Sequence, residues 1–320
     1  MYMVYTEYGT LFTAEQKVFE IAGMRIGGQP GENPAILIGS VFYRGDKALI
    51  NPETGDIDRE KARRDIESAK SLIEDLGLYF ALDVILPSVK SVEKIIPFVA
   101  ELDTVILIDA LDHETRIRAY EIVHELGIER RSIANGIYID TDDRELEVLR
   151  SSGIEAAILL AFDPRNPSVS MKPRERVRIV KEVLLPKAEK AGVRVPLVDM
   201  VVLDPASIAL SAAAIALVKN ELGLPAGCAP ANALGRVSPR TTSVEEAVAI
   251  HSSIAAMLRS MGSDFIFYGP VKRAKYVAYA VAMVDSMLGY LAKHRKASIP
   301  ANHPMKKYLR RVQQLFLEAK

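Results

Sequence analysis

Ala35–Tyr43 reads AILIGSVFY, a near-continuous apolar run of strand length. A strand with one face in water alternates apolar and polar residues. A run with almost no polar residue is buried on both faces, as in a parallel sheet covered by helices. Next comes Asp58–Leu76, helical in period and charged along one side, which stops at Gly77, a residue that ends helices well. The same pair of elements recurs along the chain. Strands are predicted at Leu78–Leu86, Thr104–Ile108, Ser132–Ile139, Ile154–Phe162, Pro196–Leu203, Leu224–Ala229 and Asp264–Tyr268. They alternate with helices at Ser91–Leu102, His113–Leu126, Asp142–Ser151, Pro173–Ala191, Pro205–Leu222, Val244–Met261 and Val271–Leu291. Gly127, Gly192, Gly223 and Gly262 close four of these helices, and Ser91 is the expected N-cap of another. Eight strands, each followed by a helix, predict a (β/α)8 TIM barrel. An open doubly wound sheet has fewer strands, and no Gly-x-Gly-x-x-Gly follows the first strand here.

The remaining segments fit one barrel domain over residues 1–320. Residues 17–28, KVFEIAGMRIGG, read as a hairpin about Ala22-Gly23 that would plug the bottom of the barrel. Together with the Pro/Gly loop Gln29–Pro34 this makes an N-terminal addition over residues 1–34. A basic helix, Pro304–Lys320, makes a C-terminal extension over residues 300–320.

Composition narrows the class of function. The chain is 49% hydrophobic and 26% charged, enough apolar material for a large core. Its 41 basic and 41 acidic residues cancel, which argues against nucleic acid or an anionic membrane surface as the main partner. A single cysteine, Cys228, excludes an internal disulfide framework and fits a reducing compartment. The first residues, MYMVYTEYGT, lack a basic segment followed by an apolar one, so no export leader is expected. A cytoplasmic protein is the expectation.

In a barrel, chemistry sits where strands end and βα loops begin. Those positions hold Tyr43-Arg44, Asp109, Asn135, Asp163, Asp199, Asp204, Asn232, Arg236 and Tyr268. Asn135 and Asp199 stand out because each lies within an apolar strand. Left unpaired, each would cost about 1–3 kcal/mol, so each needs a partner: one another, nearby backbone, or a ligand. Leu224–Arg236, LPAGCAPANALGR, gathers small residues around one amide and one guanidinium. It reads as an anion cradle with Arg236 as counter-charge, as a flat-ligand pocket in which Asn232 donates and accepts, or as a plain connecting loop. Gly227 would give clearance for a close approach. Several Asp and Asn side chains with few cations suit a 2-amino-4-oxo pterin ring, whereas a phosphate asks for more Lys, Arg and backbone N–H groups. The five histidines lack metal-site spacing and Cys228 has no His or Cys near it, so no metal of the chain's own is expected.

Some stretches also resemble a known family. Ile21–Tyr43 (IAGMRIGGQPGENPAILIGSVFY), Ile106–Ala110, Leu159–Val169 (LLAFDPRNPSV), Pro196–Val202, Leu222–Asn232 and Gly262–Pro270 (GSDFIFYGP) occur in order along nearly the whole chain. With AVAMVD at Ala280–Asp285, they are similar to the H subunits of tetrahydromethanopterin S-methyltransferases, IGGQPGE being the most distinctive segment. That family is related to corrinoid-dependent methyltetrahydrofolate methyltransferases and, more distantly, to dihydropteroate synthase. The resemblance implies a pterin-binding barrel that moves a methyl group between N5 of a methyl-tetrahydropterin and the cobalt of a corrinoid (cobalamin) on a partner protein. The substrate would be methyl-tetrahydromethanopterin or methyl-tetrahydrofolate. It further implies that Asp109, Asn135 and Asp199 hold the pterin ring, that Asn232 lies near N5, and that Asp163 lies on the same face. Arg236 is carried over less directly, because its loop, ALGRVSPR, departs from the family pattern.

A corrinoid domain has to reach the pterin, so a broad, lidless mouth is expected. So are a homodimer and membership of a larger methyltransferase complex, with the chain peripheral to any membrane component. Two other readings compete. A dihydropteroate-synthase-like condensation would need a pyrophosphate site, for which only Arg44, Arg165 and Arg236 are candidates. A non-catalytic scaffold would dock through its basic C-terminal helices.

Overall fold

The computed structural model describes residues 3–318. Eight strands make the barrel: β1 (Ile36–Val41), β2 (Tyr79–Ile85), β3 (Val105–Asp109), β4 (Ser132–Ile137), β5 (Ala156–Leu160), β6 (Val195–Asp199), β7 (Ala226–Cys228) and β8 (Phe265–Pro270). Each pairs in parallel with the next in sequence, and β8 pairs with β1 to close the ring. The helices that follow the strands in turn are α1 (Arg59–Asp75), α2 (Val89–Ala100), α3 (His113–Glu125), α4 (Asp143–Ser152), α5 (residues 173–190, with a π turn at Val180–Leu184), α6 (Ser207–Leu222), α7 (Val244–Ser260) and α8 (Ala274–His294). A further helix, α9 (Pro304–Glu318), lies against α8, with the Tyr308 and Tyr279 rings 6.1 Å apart. The predicted barrel and its extensions are therefore present. The last two residues expected in the C-terminal helix, 319 and 320, lie outside the described residues.

Strand alternation decides what fills the ring. One set of alternate residues, among them Ile36, Ile38, Ala81, Val105, Leu107, Ile133, Ile158, Leu197, Phe265 and Phe267, forms a buried cluster in the barrel interior. Ile21, Met24 and Ile26 of the hairpin Val18–Ile21/Met24–Gly27 join that cluster at the N-terminal ends of the strands, as the predicted plug requires. The other set, including Leu37, Leu82, Ile106, Ile108, Leu159 and Val198, packs outward into the larger core shared with the helices.

Several boundaries differ from the sequence reading. Helix α2 is capped by Ser88, and Ser91 is its third residue, the two serines bonding each other's backbone N–H at 3.2 Å. Exposed Val89 hid that first turn from the periodicity. Strand β6 ends at Asp199, and Asp204 lies beyond it, accepting the Ser207 N–H at 2.7 Å beside the start of α6. Two hairpins were not foreseen, Met3–Thr6/Gly9–Phe12 and Leu49–Asn51/Asp56–Ile57. The glycines expected to close helices, Gly77, Gly127, Gly192, Gly223 and Gly262, all have φ between 64° and 102°.

Buried charge locks the bottom of the ring. Arg259 on α7 donates to Asp285 of α8 at 2.5 Å, to the Ser263 carbonyl at 2.7 Å and to the Asn33 carbonyl at 2.9 Å. The second Asp285 oxygen accepts the Ala35 N–H at 2.8 Å, just ahead of β1. Beside it, Lys219 of α6 pairs with Asp264 at 2.7 Å, and Asp264 also accepts the Ala226 N–H at 3.0 Å. The strands that close the barrel are thus tied to three helices. Removing one partner of a buried pair strands the other, at about 3–5 kcal/mol. Arg259→Ala is expected to lose that much stability in urea denaturation monitored by circular dichroism. A loss below about 1 kcal/mol would contradict this account of the network.

Candidate functional site

Two layers up from the plug, the interior turns polar. The next inward residue is Ser40 on β1, Asp83 on β2, Asp109 on β3, Asn135 on β4 and Asp199 on β6, all at the C-terminal ends of their strands. Strand register brings them level: Ser40 opposite Asp83, Asp109 opposite Asn135, and Asp199 opposite Gly227. Ser40 donates to one Asp83 oxygen at 2.7 Å, and the Asn135 amide donates to the other at 3.3 Å. Asp109 is half-buried at the rim. Asp199 is 6% exposed, and its Oδ1 has no hydrogen-bond partner among the described residues.

The surroundings of these carboxylates come from outside the ring. Arg116 of α3 donates to the Ala110 carbonyl at 2.8 Å and the Leu111 carbonyl at 3.1 Å, fixing the loop after Asp109. It is itself held by Glu145 of α4 at 2.5 and 2.9 Å. Burial disfavours charge, so it raises all three acids. The Asp83 carboxyl is pushed up to about 6, with the bonds from Ser40 and Asn135 pulling back. The Asp109 carboxyl goes well above the usual range through burial and the Asp83 charge, with Arg116 opposing. The Asp199 carboxyl is pushed up to about 7 by burial, against the pull of Arg176. The mouth floor is therefore a set of acids whose carboxyls are all raised by burial, Asp83 to about 6 and Asp199 to about 7, with one Asp199 oxygen unpartnered among the described residues. Such a floor suits an uncharged planar heterocycle edged with N–H groups, and repels phosphate.

The predicted site residues divide. Asp109, Asn135 and Asp199 come together on this floor, but Asn135 bonds Asp83 rather than Asp199. Asn232 is exposed on a short helical turn, Ala231–Leu234, that follows β7. Gly227 lies beside Asp199, and the space a Cβ would take there is filled by Phe265, so its small size already serves that packing. Asp163 lies past the end of β5 and is held by Arg165 at 2.9 Å, turned to its own loop. Arg236 is exposed on the loop after Asn232, where its carbonyl accepts from Thr241. Tyr268 packs outward, among the residues of the larger core.

The sequence reading missed Asp83. Its signal was the one that singled out Asn135 and Asp199, a polar residue inside the apolar strand YFALDVI. Ser40 gave the same signal within the opening stretch.

Comparison with known proteins bears on this arrangement. The family described as "Tetrahydromethanopterin S-methyltransferase MtrH subunit" matches residues 14–299. The chain belongs to this family. Among relatives, the H subunit of tetrahydromethanopterin S-methyltransferase from Methanosarcina acetivorans is 32% identical over 314 residues, covering 92% of this chain and 98% of its own. The protein of that name from Methanocaldococcus jannaschii is 33% identical over 316 residues, covering 92% and 98%. Membership makes the chain a methyltransferase component. Similar solved structures include the Yersinia pestis dihydropteroate synthase with a pterine-sulfa conjugate, at a TM-score of 0.57 and 13% identity over 84% of this chain and 98% of that one. The Thermus thermophilus dihydropteroate synthase with 4-aminobenzoate gives 0.54 and 15% over 84% and 99%. At such identities the likeness bears on the fold, and this chain shares their barrel.

The raised Asp199 carboxyl has a cost in stability. The folded protein keeps a proton that the unfolded chain releases near pH 3.8, so this residue's contribution falls as pH climbs from about 4 to about 7 and stays low above that. Asparagine cannot ionise. Asp199→Asn is therefore expected to be more stable than the parent by about 2–4 kcal/mol at pH 8, with a smaller advantage at pH 5. Denaturation midpoints at the two pH values check this, and a pH-independent difference would count against it.

Proposed function

We propose that the barrel mouth holds a methyl-tetrahydropterin and that the chain moves its methyl group between N5 and the cobalt of a corrinoid carried by a partner protein. The observation that carries this reading is the unpartnered Oδ1 of buried Asp199, level with Asp109 and Asn135. A 2-amino-4-oxo pterin presents an amino group and a ring N–H side by side, the pair of donors that an ionised Asp199 lacks. Asn135, already donating to Asp83, keeps its carbonyl for a further ring N–H. The relatives' names favour tetrahydromethanopterin over tetrahydrofolate, and their designation as H subunits favours a larger assembly of several different chains. Among the described residues no helix is long and apolar enough to cross a membrane, so attachment to one would run through partner chains.

The corrinoid supplies the nucleophile that accepts the methyl group. Toward cobalt, the N5–CH₃ bond breaks, its electron pair stays on N5, and N5 gains a proton. An unprotonated amine nitrogen is a poor leaving group, so proton delivery governs the rate. Asn232 is not an acid, but its amide can donate to N5 or accept from it as protonation changes. The proton comes through water from Asp83, raised to about 6, or from Asp109, which burial also raises, so that each holds a proton more readily than a free carboxyl. Holding the ring on the floor orients N5, worth several kcal/mol in positioning. The rim is open for a second protein: Asn232 is exposed, and Leu111, on the loop after Asp109, is 99% exposed.

The test is to mix the purified protein with methyl-tetrahydromethanopterin and a reduced free corrinoid and to follow the Co(I) absorbance. Protein-dependent loss of that absorbance is expected. Pterin binding without methyl transfer to any corrinoid would indicate the scaffold reading instead. Asn232→Ala is expected to bind the pterin within about threefold of the parent and to transfer methyl about 100-fold more slowly, by analogy with removal of one transition-state hydrogen bond. An unchanged transfer rate would remove Asn232 from the mechanism.

A further inference from the structure

Among the described residues three arginines are buried, Arg116, Arg176 and Arg259. Arg116 pairs with Glu145 and Arg259 with Asp285. Arg176, on α5, is 0% exposed, yet no carboxylate lies within ion-pairing distance of it among the described residues. An enclosed guanidinium without a counter-ion is costly, and it persists where the fold or the function holds it in place.

Its contacts show where it acts. Arg176 donates to the Val201 carbonyl at 2.9 Å, to the Ser211 hydroxyl at 3.1 Å and to the Met171 sulfur at 2.6 Å. Ser211 of α6 also donates to the Val201 carbonyl, at 3.1 Å. The chain leaving β6 is thus clamped two residues past Asp199, from α5 and α6 together. Among the described residues neither the Nε of Arg176 nor Oδ1 of Asp199 has a hydrogen-bond partner. Two opposite buried charges therefore lie behind and in front of one strand end, each with an open hydrogen-bonding position.

We propose that Arg176 is a positioning residue for the pterin: its charge keeps the Asp199 carboxylate ionised, and its bond to Val201 fixes the strand end that aims it. This rests on the pterin reading above. The titratable and charged groups that face Asp199 are Arg176 from α5, Cys228 from β7, Asp109 from β3 and Tyr138 after β4. Only Arg176 is cationic. Burial lowers its guanidinium to about 10, which leaves it charged at neutral pH. Cys228 and Tyr138 are raised by burial and stay neutral there, and Asp109 adds negative charge when ionised. Without Arg176, nothing opposes the desolvation of Asp199. Its carboxyl then takes a proton and turns from a double acceptor into a donor facing N–H donors.

The experiment is the pH dependence of methyl-tetrahydromethanopterin affinity, by calorimetry, in the parent, Arg176→Met, Arg176→Lys and Ser211→Ala. In parallel, the Asp199 carboxyl is titrated by carbon-13 NMR in the ligand-free proteins. In the parent, affinity rises with pH as Asp199 ionises. Arg176→Met is expected to move that midpoint and the carboxyl midpoint upward by about 1 pH unit, so that affinity falls about fivefold near pH 7, about tenfold well below it, and recovers at higher pH. Ser211→Ala loosens the clamp and keeps the charge, so its midpoint stays. Arg176→Lys keeps the charge and loses the fork, so its midpoint stays and its high-pH affinity drops; it also serves if Arg176→Met fails to fold. An equal loss of affinity at every pH in Arg176→Met, or a midpoint shift as large in Ser211→Ala, overturns the assignment. A parent that binds no pterin overturns the functional reading, and the carboxyl titration still decides whether Arg176 governs Asp199.

Discussion

An eight-stranded barrel closes with an interior just wide enough for side chains to fill, so each inward residue either packs against its opposite numbers or faces one of the two ends. Here the lower layers pack on one another and on the Ile21, Met24 and Ile26 plug. The layer above them, Ser40, Asp83, Asp109, Asn135 and Asp199, has apolar side chains beneath it and the open mouth above. Its carboxyls cannot reach bulk water freely, and they cannot all find donors within the ring. Burial then sets their protonation, and protonation sets what the mouth can hold. The functional reading depends on this one geometric limit.

The two ends of the barrel treat buried charge in opposite ways. At the bottom, Arg259 with Asp285 and Lys219 with Asp264 are paired at 2.5 and 2.7 Å, and they bind backbone on the strands that close the ring. At the top, Asp199 and Arg176 each keep a polar atom without a partner among the described residues. The first arrangement holds the fold. The second leaves unsatisfied bonding capacity where a ligand can meet it, the pattern expected of a site that trades stability for recognition.

The barrel was legible because its cause is local and repeated: apolar runs of strand length, amphipathic helices, and glycines whose positive φ ends the helices. Asn135 and Asp199 were legible for a related reason, since a polar residue in such a run contradicts its surroundings. Asp83 and Ser40 carry the same contradiction, each a polar residue within an apolar strand. Arg176 is different. On a charged helix such as PRERVRI an arginine that turns inward looks like its outward neighbours, and only the packing of α5 on α6 and β6 distinguishes them. The loop residues Asp163 and Arg236 were drawn toward the site by strand-end position and by the family resemblance. The structure has Asp163 engaged by Arg165 and Arg236 on an exposed loop, because loops choose their own local partners.

The hydrogen bond from the Ala35 N–H to Asp285 spans 250 positions in the chain. Strand β1 leaves the ribosome before any other barrel strand, yet its β8 neighbour and the α8 carboxylate that anchors its start follow only after the six strands between them. Contacts of such sequence separation form late and slowly. Until β8 and α8 have been made, the apolar run that announces the fold is a strand with one edge open, the kind of edge that invites pairing with another chain.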